Sequence, residues 1–291
     1  MNPKRLAASL QATPFALVFL LFFIIPLLLV VMVSFWDYND YQILPSFTFR
    51  SYVETFDGCI DQLPSLCTIL KTYASTVKFC FLVWAFTLLI GFTVAYFLAF
   101  HVRSATMQMV LFLVCTIPFW TSNVIRMISW IPLLGRNGLV NQMLVGAHVV
   151  DAPVEWLLYS PFSVALAFVH LFTFFMVAPI FNSMMRIDRR LMEAAYDAGA
   201  SGRQMLTNVI VPLSKPGIAI GSIFVVTIVM GDFITFDEMG GEQIASAGKV
   251  IETRLGALQF PPAAANAVIL LGATMLIIAV LNRIVDIRKE L

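Results

Sequence analysis

Five stretches of this chain, 6–36, 79–100, 104–125, 156–185 and 255–282, contain no Asp, Glu, Lys or Arg. A sixth, 216–231, is shorter and is followed by Asp232. A helix needs about 20 apolar residues to cross roughly 30 Å of hydrocarbon, and each longer run meets that length. The runs are continuous. A barrel would instead alternate in blocks of about ten residues. The reading is an all-α membrane protein with six spans, at about 13–35, 76–100, 106–128, 162–184, 216–237 and 263–284. Composition agrees, with 60% hydrophobic and 12% charged residues against about 25% charged in a soluble domain. A net charge of +1 implies no bulk attraction to nucleic acid.

Six spans place both termini on one side, and basic loop residues say which. Eleven of the 18 Lys and Arg residues fall on the terminal side, among them Lys4, Arg5, Arg103, Arg186, Arg189, Arg190, Arg203, Lys215, Arg283, Arg288 and Lys289. That side is therefore read as cytoplasmic. The chain divides into an N-terminal anchor helix (1–35), an external loop (36–72), a five-helix core (73–285) carrying a cytoplasmic loop at 186–215, and a tail (286–291). The first run is too long for a signal peptide, and no small-x-small cleavage site follows it, so it is read as retained.

Cys59 and Cys67 share the external loop. In an oxidising compartment they close a disulfide, or they stand as two free thiols, and spacing alone does not decide. Cys80 and Cys115 fall within spans. The stretch 129–161 has apolar residues at helical spacing and suggests a short interfacial helix, with Trp130, Trp156 and Tyr159 suited to an aromatic belt. The stretch 238–262, with its Gly and Pro residues, is expected to be irregular. Pro26, Pro118 and Pro179 lie inside spans, where proline either kinks a helix or is tolerated.

The segment 186–216 is the most polar and punctuated part of the core. Asp188 suits an N-cap, so a short helix starts at Arg189 and stops at Gly199, a residue able to take the left-handed conformation. Ser201 and Gln204 form the Ser-x-x-Gln pattern of a capping box. A second helix is expected to end at Pro212, with Ser214 and Pro216 opening the next span. Ala194 and Ala195 leave one side of the first helix without bulk, and Glu193 stands at its middle. Such a helix either docks into a groove of another protein or is simply solvated.

The run EAAYDAGASGRQMLTNVIVP at 193–212 resembles the EAA loop of binding-protein-dependent ABC importer permeases, E-A-A-x3-G-x9-I-x-L-P. Glu193, Ala194, Ala195, Gly199 and Pro212 match, while Val209 and Val211 replace Ile and Leu. The resemblance covers about 70–285 and implies the type I importer permease fold. It further implies that 189–199 is the coupling helix seated on a cytoplasmic ATPase, with Arg189, Glu193, Ala194, Ala195, Asp197, Gly199 and Ala200 at the contact. A finer resemblance links PFWTSNVIRMISWIPLLGRNGLVNQML and MGDFITFDEMGG to spermidine/putrescine importer permeases, with Phe236 where their pattern usually has proline. The resemblance implies a bacterial inner-membrane subunit working with a second permease, commonly as a heterodimer. It also implies two copies of an ATPase that holds ATP and Mg, and a periplasmic or lipid-anchored solute-binding protein. The implied solute is a polyamine, or another small solute taken by relatives of this type.

The remaining residues fit that reading. No G-x-x-x-x-G-K-[ST] loop or metal-ligand spacing is present, so no cofactor is expected in this chain. His101, His148 and His170 are scattered and read as structural. Asp232 is the one acid expected well inside a span. A carboxylate there costs roughly 2.5–3.5 kcal/mol on insertion scales, so it should face a wet path, where a cation would meet it, or pair with Lys78 or Asn123, or stand near the outer surface. Phe233, Glu238, Arg126 and Trp130 complete the candidate path. Arg126 and Trp130 equally suit an interfacial anchor. The external loops are acidic, with Asp37, Asp40, Glu54, Asp57, Asp61, Asp151, Glu155, Asp237, Glu238, Glu242 and Glu252. Such a field concentrates cations, or merely solvates the loops. An ATP-independent carrier or channel, and an intramembrane enzyme, are the alternatives from other classes. The second lacks a catalytic pair within the spans.

Overall fold

The computed structural model describes residues 13–39, 42–57, 59, 67–241 and 243–284. Lys4, Arg5, Asp40, Asp61, Glu242, Arg288, Lys289 and the tail 286–291 lie outside the described residues. The protein is a multi-pass membrane chain. Among the described residues, five helices are long and apolar enough to span, and one bent pair brings the count to six if read as a single span.

The first element, α1 (Thr13–Val33), is apolar around its whole circumference and has no buried residue in its spanning window. A π turn at Leu20–Ile24 precedes Pro26. The same arrangement recurs at Leu206–Ile210, ahead of Pro212. A proline ring clashes with the carbonyl four residues back in an ideal α-helix. The wider π turn moves that carbonyl aside, and the helix continues.

The chain forms two compact units, Met1–Lys71 with Val250–Gly272, and Thr72–Lys249 with Ala273–Leu291. In the first, a two-residue hairpin pairs β1 (Asp37–Tyr38) with β2 (Ile43–Leu44), ahead of the short helix α2 (Arg50–Thr55). Arg50 bridges Asp37 at 3.2 Å and Glu54 at 2.7 Å, and the Tyr38 hydroxyl donates to Glu54 at 2.7 Å. Phe35, Phe47, Phe49 and Tyr52 stack beneath this network. Cys59 and Cys67 are joined by a disulfide. Buried Asn266 donates to Thr55 Oγ1 at 3.2 Å and ties α2 to the last span.

The second unit begins within α3 (Thr68–His101). The buried side-chain amide of Gln108 then donates to the carbonyls of Leu98, Ala99 and Val102 at 3.1, 3.3 and 3.0 Å. Those are end-of-helix acceptors with no partner in their own helix, so Gln108 fixes the turn into α4 (Ala105–Trp120). Here the structure corrects the expected third span. The run 106–128 is not one helix. Pro118 sits in a 3-10 turn, Ile117–Trp120, and the next helical stretch, Asn123–Gly146, leaves at 92°. Its parts are α5 (Asn123–Ile128), α6 (Ile131–Leu134) and α7 (Leu139–Gly146). Asn141, 1% exposed, donates to Gly135 and Val154 carbonyls and accepts from Val154 N, pinning this region shut.

A Ser160–Ser163 capping box opens α8 (Pro161–Met184), the most buried span. Then come α9 (Arg189–Asp197) and α10 (Gly202–Gly231). No break occurs at Pro212 or Pro216, contrary to the expected second stop, because the π turn accommodates the first proline. After α10 the chain forms α11 (Ile234–Gly240), α12 (Ala247–Gly256) and α13 (Phe260–Ile284). The stretch 238–262 is thus substantially helical, not irregular. Two links place α12 at its N-terminal end. Ala247 N donates to Thr76 Oγ1 at 2.9 Å, and Lys249 pairs with Asp237 at 2.9 Å.

Helix contact in this unit rests on small residues. On α10, Gly217 and Gly221 stand one turn apart against Pro179 and Met176 of α8, and Gly91 of α3 meets the same Met176. Within lipid, where apolar burial gives no driving force between helices, such close backbone approach supplies the packing. Sequence reasoning passed over this Gly-x-x-x-Gly pair. The buried Phe168, Phe172, Met176, Ile180 and Met230 fill the space around it.

Candidate functional site

The polar loop is built by its caps. Asp188 accepts from Arg190 N at 2.9 Å, opening α9, and Gly199 closes it with φ +82°. Ser201 and Gln204 then form a reciprocal box, with Ser201 N to Gln204 Oε1 at 2.8 Å and Gln204 N to Ser201 Oγ at 3.4 Å. A short helix and a turn thus stand clear of the spans. No residue of α9 is buried. Glu193, Ala194, Asp197 and Gly199 are exposed with Arg189, and Ala195 and Ala200 are partly covered. Leu191 and Tyr196, exposed at 51% and 61%, give α9 apolar surface that the sequence reading did not name. Beneath the loop, a cavity of about 620 Å³ lies between α8 and α10, with Arg186, Asp188 and Leu191 at its mouth.

The second candidate region sits where α10 ends. Asp232 does not lie within a span. Gly231 is the last helical residue, and Asp232 is extended at φ −75°, ψ 130°. Its Oδ1 accepts from Thr235 N at 2.8 Å, so the carboxylate satisfies the first turn of α11, a role for which Asp is well suited. Neither Lys78 nor Asn123 takes it. Gly248 packs over this turn, where a Cβ on the glycine would stand only 3.1 Å from the Asp232 carbonyl oxygen. Phe233 is partly exposed beside it.

Phe236, where the family pattern has proline, is 1% exposed. Its ring meets Phe79 and Phe168 edge-on at 5.2 and 5.1 Å. Phe236 is therefore a core residue, packed between α3 and α8. Asp237 is engaged by Lys249. Glu238 lines a polar recess of about 390 Å³ with Tyr159 and Gln243. Asp232 is not part of that recess, so the two acids serve separate surfaces.

Arg126 and Trp130 stand together against α8. Arg126 is 8% exposed and donates to the side-chain carbonyl of Asn123. The Trp130 indole donates to His170 Nδ1 at 3.1 Å, which fixes that nitrogen as an acceptor. His170, read as merely structural, is thus the link between this patch and α8. Helix α5 packs against both α8 and α11. The structure therefore brings the Arg126 and Asp232 elements side by side. Among the described residues no ion pair joins Arg126 to an acid.

No protein-family model matches the chain. It is 31% identical over 255 residues to the spermidine/putrescine transport system permease protein PotB of Haemophilus influenzae, covering 86% of this chain and 85% of the relative. To PotB of Escherichia coli it is 29% identical over 276 residues, covering 93% and 96%. Among solved structures, it resembles a chain of a bacterial alginate ABC transporter in complex with an alginate pentasaccharide-bound periplasmic protein. That match has a TM-score of 0.72 and 17% identity, covering 97% of this chain and 94% of the other. The helical architecture is thus that of an ABC transporter permease, and the chain belongs to the PotB family as a permease subunit of an ABC importer rather than an enzyme.

Proposed function

We propose that this chain forms one half of the membrane path for a polyamine of the spermidine and putrescine class. A second, different permease supplies the other half. Two copies of a cytoplasmic ATPase hold ATP and Mg, and a periplasmic or lipid-anchored binding protein delivers the solute. The subunit sits in the bacterial inner membrane with six spans, counting α4 and the bent stretch after it as one, and both termini face the cytoplasm. The observation that carries this reading is α9, a capped polar helix between two spans with no buried residue. Identity to permeases named for spermidine and putrescine supports the solute class.

In this account Arg189, Glu193, Ala194, Ala195, Asp197, Gly199 and Ala200 form the ATPase contact. Closure of the ATPase pulls on α9. Because α9 joins α8 to α10 through short capped turns, the pull rocks that glycine-packed pair as a unit. The exit of α10 at Asp232 and Phe233, with Glu238, Arg126 and Trp130 nearby, then changes its access from outside to inside. The acidic recess at Glu238 favours a cationic solute.

The test is uptake of radiolabelled spermidine into vesicles carrying the full complex. Uptake should need ATP on the ATPase side, and unlabelled putrescine should compete. ATP-driven uptake of other solutes with none of spermidine would contradict the solute class. Uptake by this chain without an ATPase would favour the carrier alternative.

A further inference from the structure

We infer that Arg126 is a carboxylate-binding site inside the membrane, completed by an acidic side chain of the facing permease. This rests on the two-permease reading above. Three observations carry it. First, the guanidinium belongs to a residue only 8% exposed, its Nε has no hydrogen-bond partner among the described residues, and it lines a cavity of about 340 Å³. Its one side-chain partner is the neutral amide of Asn123. Second, the neighbouring acids are already engaged or turned elsewhere. Asp237 holds Lys249, Asp232 caps Thr235, and Glu238 faces the polar recess. Third, the chain just ahead of α5, the helix that carries Arg126, is not helical. Thr121 and Ser122 separate α4 from α5, and both are exposed with Asn123. Non-helical backbone at membrane depth survives only where protein or a water-filled cavity covers it.

Depth excludes a lipid headgroup as the source. His170, in the same cavity, lies nine residues along α8 from Pro161, or roughly 14 Å at 1.5 Å per residue. With Pro161 taken at the edge of a core about 30 Å thick, that is near its middle. Apart from His170, Thr173 and Cys115, the cavity walls are aliphatic and aromatic, including Phe119, Leu166 and Phe174. A hydrophilic free solute finds one charge there and little else. A carboxylate on an apolar helix brings its own matching surface, and exposed Phe119 and Ile125 meet it. A buried charge without its counter-charge is strongly destabilising, so this site favours the paired assembly over the separate subunit.

The experiment uses the full complex with Arg126→Lys, treated with a lipid-soluble carbodiimide. The reagent activates a carboxyl group, and the introduced amine forms an amide only with a carboxyl in contact. The expected result is a covalent product joining the two permeases, absent from Arg126→Gln. Co-purification of the second permease should fall at least about tenfold in Arg126→Gln and be largely restored in Arg126→Lys. A cross-link within this chain, to Glu242 for example, or an adduct of a small carboxylic acid on this chain alone, would overturn the proposal. So would an assembled Arg126→Lys complex that yields no cross-link. Should Arg126→Lys not assemble, Ser122→Cys decides. It should react with a membrane-permeant maleimide in the separate chain and be protected in the complex, and equal reactivity would overturn the proposal. A wild-type chain that brings down no second permease would fail the two-permease reading itself.

Discussion

Gly217 approaches Pro179 so closely that a Cβ on the glycine would stand 2.5 Å from the proline carbonyl oxygen. Real Cβ atoms do not reach that distance to a backbone atom, and the obstacle is main chain, not a flexible side-chain end. Gly217 therefore sets the separation of α8 and α10, the two spans on either side of α9. Gly217→Ala should force them apart and destabilise the chain by about 1–3 kcal/mol, the usual cost of overpacking. Gly256→Ala, where a Cβ meets nothing within 4 Å, should be nearly silent. Thermal unfolding of the two variants in the same detergent checks this, with a lower midpoint expected for Gly217→Ala alone.

The network of Arg50, Glu54 and Tyr38 should weaken in acid. Burial pushes the Glu54 carboxyl upward, but the Tyr38 hydroxyl and the Arg50 guanidinium together outweigh it and leave the group below its ordinary value. Tyr38 moves the other way, raised by burial and by its bond to Glu54. For a carboxyl depressed on folding, the stabilisation is present above the unfolded-chain value and is lost as pH falls through the folded one. Amide hydrogen exchange of 37–55, taken relative to the intrinsic rate at each pH, should accelerate below the ordinary carboxylate range. Glu54→Gln should flatten that dependence and leave exchange in α8 unchanged.

Of the four cysteines, Cys59 and Cys67 should react with a thiol reagent only after reduction, while Cys80 and Cys115 are unbonded. The bond spans eight positions, and the chain-entropy estimate for so short a loop is about 2–3 kcal/mol. Alkylation followed by mass measurement should show two added groups on the denatured chain before reduction and four after it. Four before reduction would contradict the bond.

Much of the fold is legible in the sequence because lipid imposes a simple demand. Each spanning helix must be apolar over its length, and the runs at 156–185 and 255–282 mark α8 and α13 within a few residues. The caps of α9 are equally legible, since Asp188, Gly199, Ser201 and Gln204 act on their immediate neighbours. What stays hidden depends on partners distant in sequence or on choices of equal composition. The break after Trp120 has the same apolar content as a straight span, so hydropathy passes through it. The helix through Pro212 needs a π turn that no residue pattern announces. Asp232 reads as lying within a span until Gly231 is seen to end the helix. Phe236 reads only as a departure from the family's proline until Phe79 and Phe168 are placed around it. The spacing of Gly217 and Gly221 marks a close helix contact, but it does not say that α8 is the helix standing opposite.

The central claim is that α9 joins an ATPase to this permease, and Glu193→Lys tests it most directly. The side chain is exposed, so the variant should insert and fold as the wild type does. ATPase subunit retained on the tagged permease should fall at least about tenfold, as for loss of an interface hot spot, and ATP-driven spermidine uptake should fall with it. Retention and uptake both equal to wild type, at matched permease levels, would contradict the account.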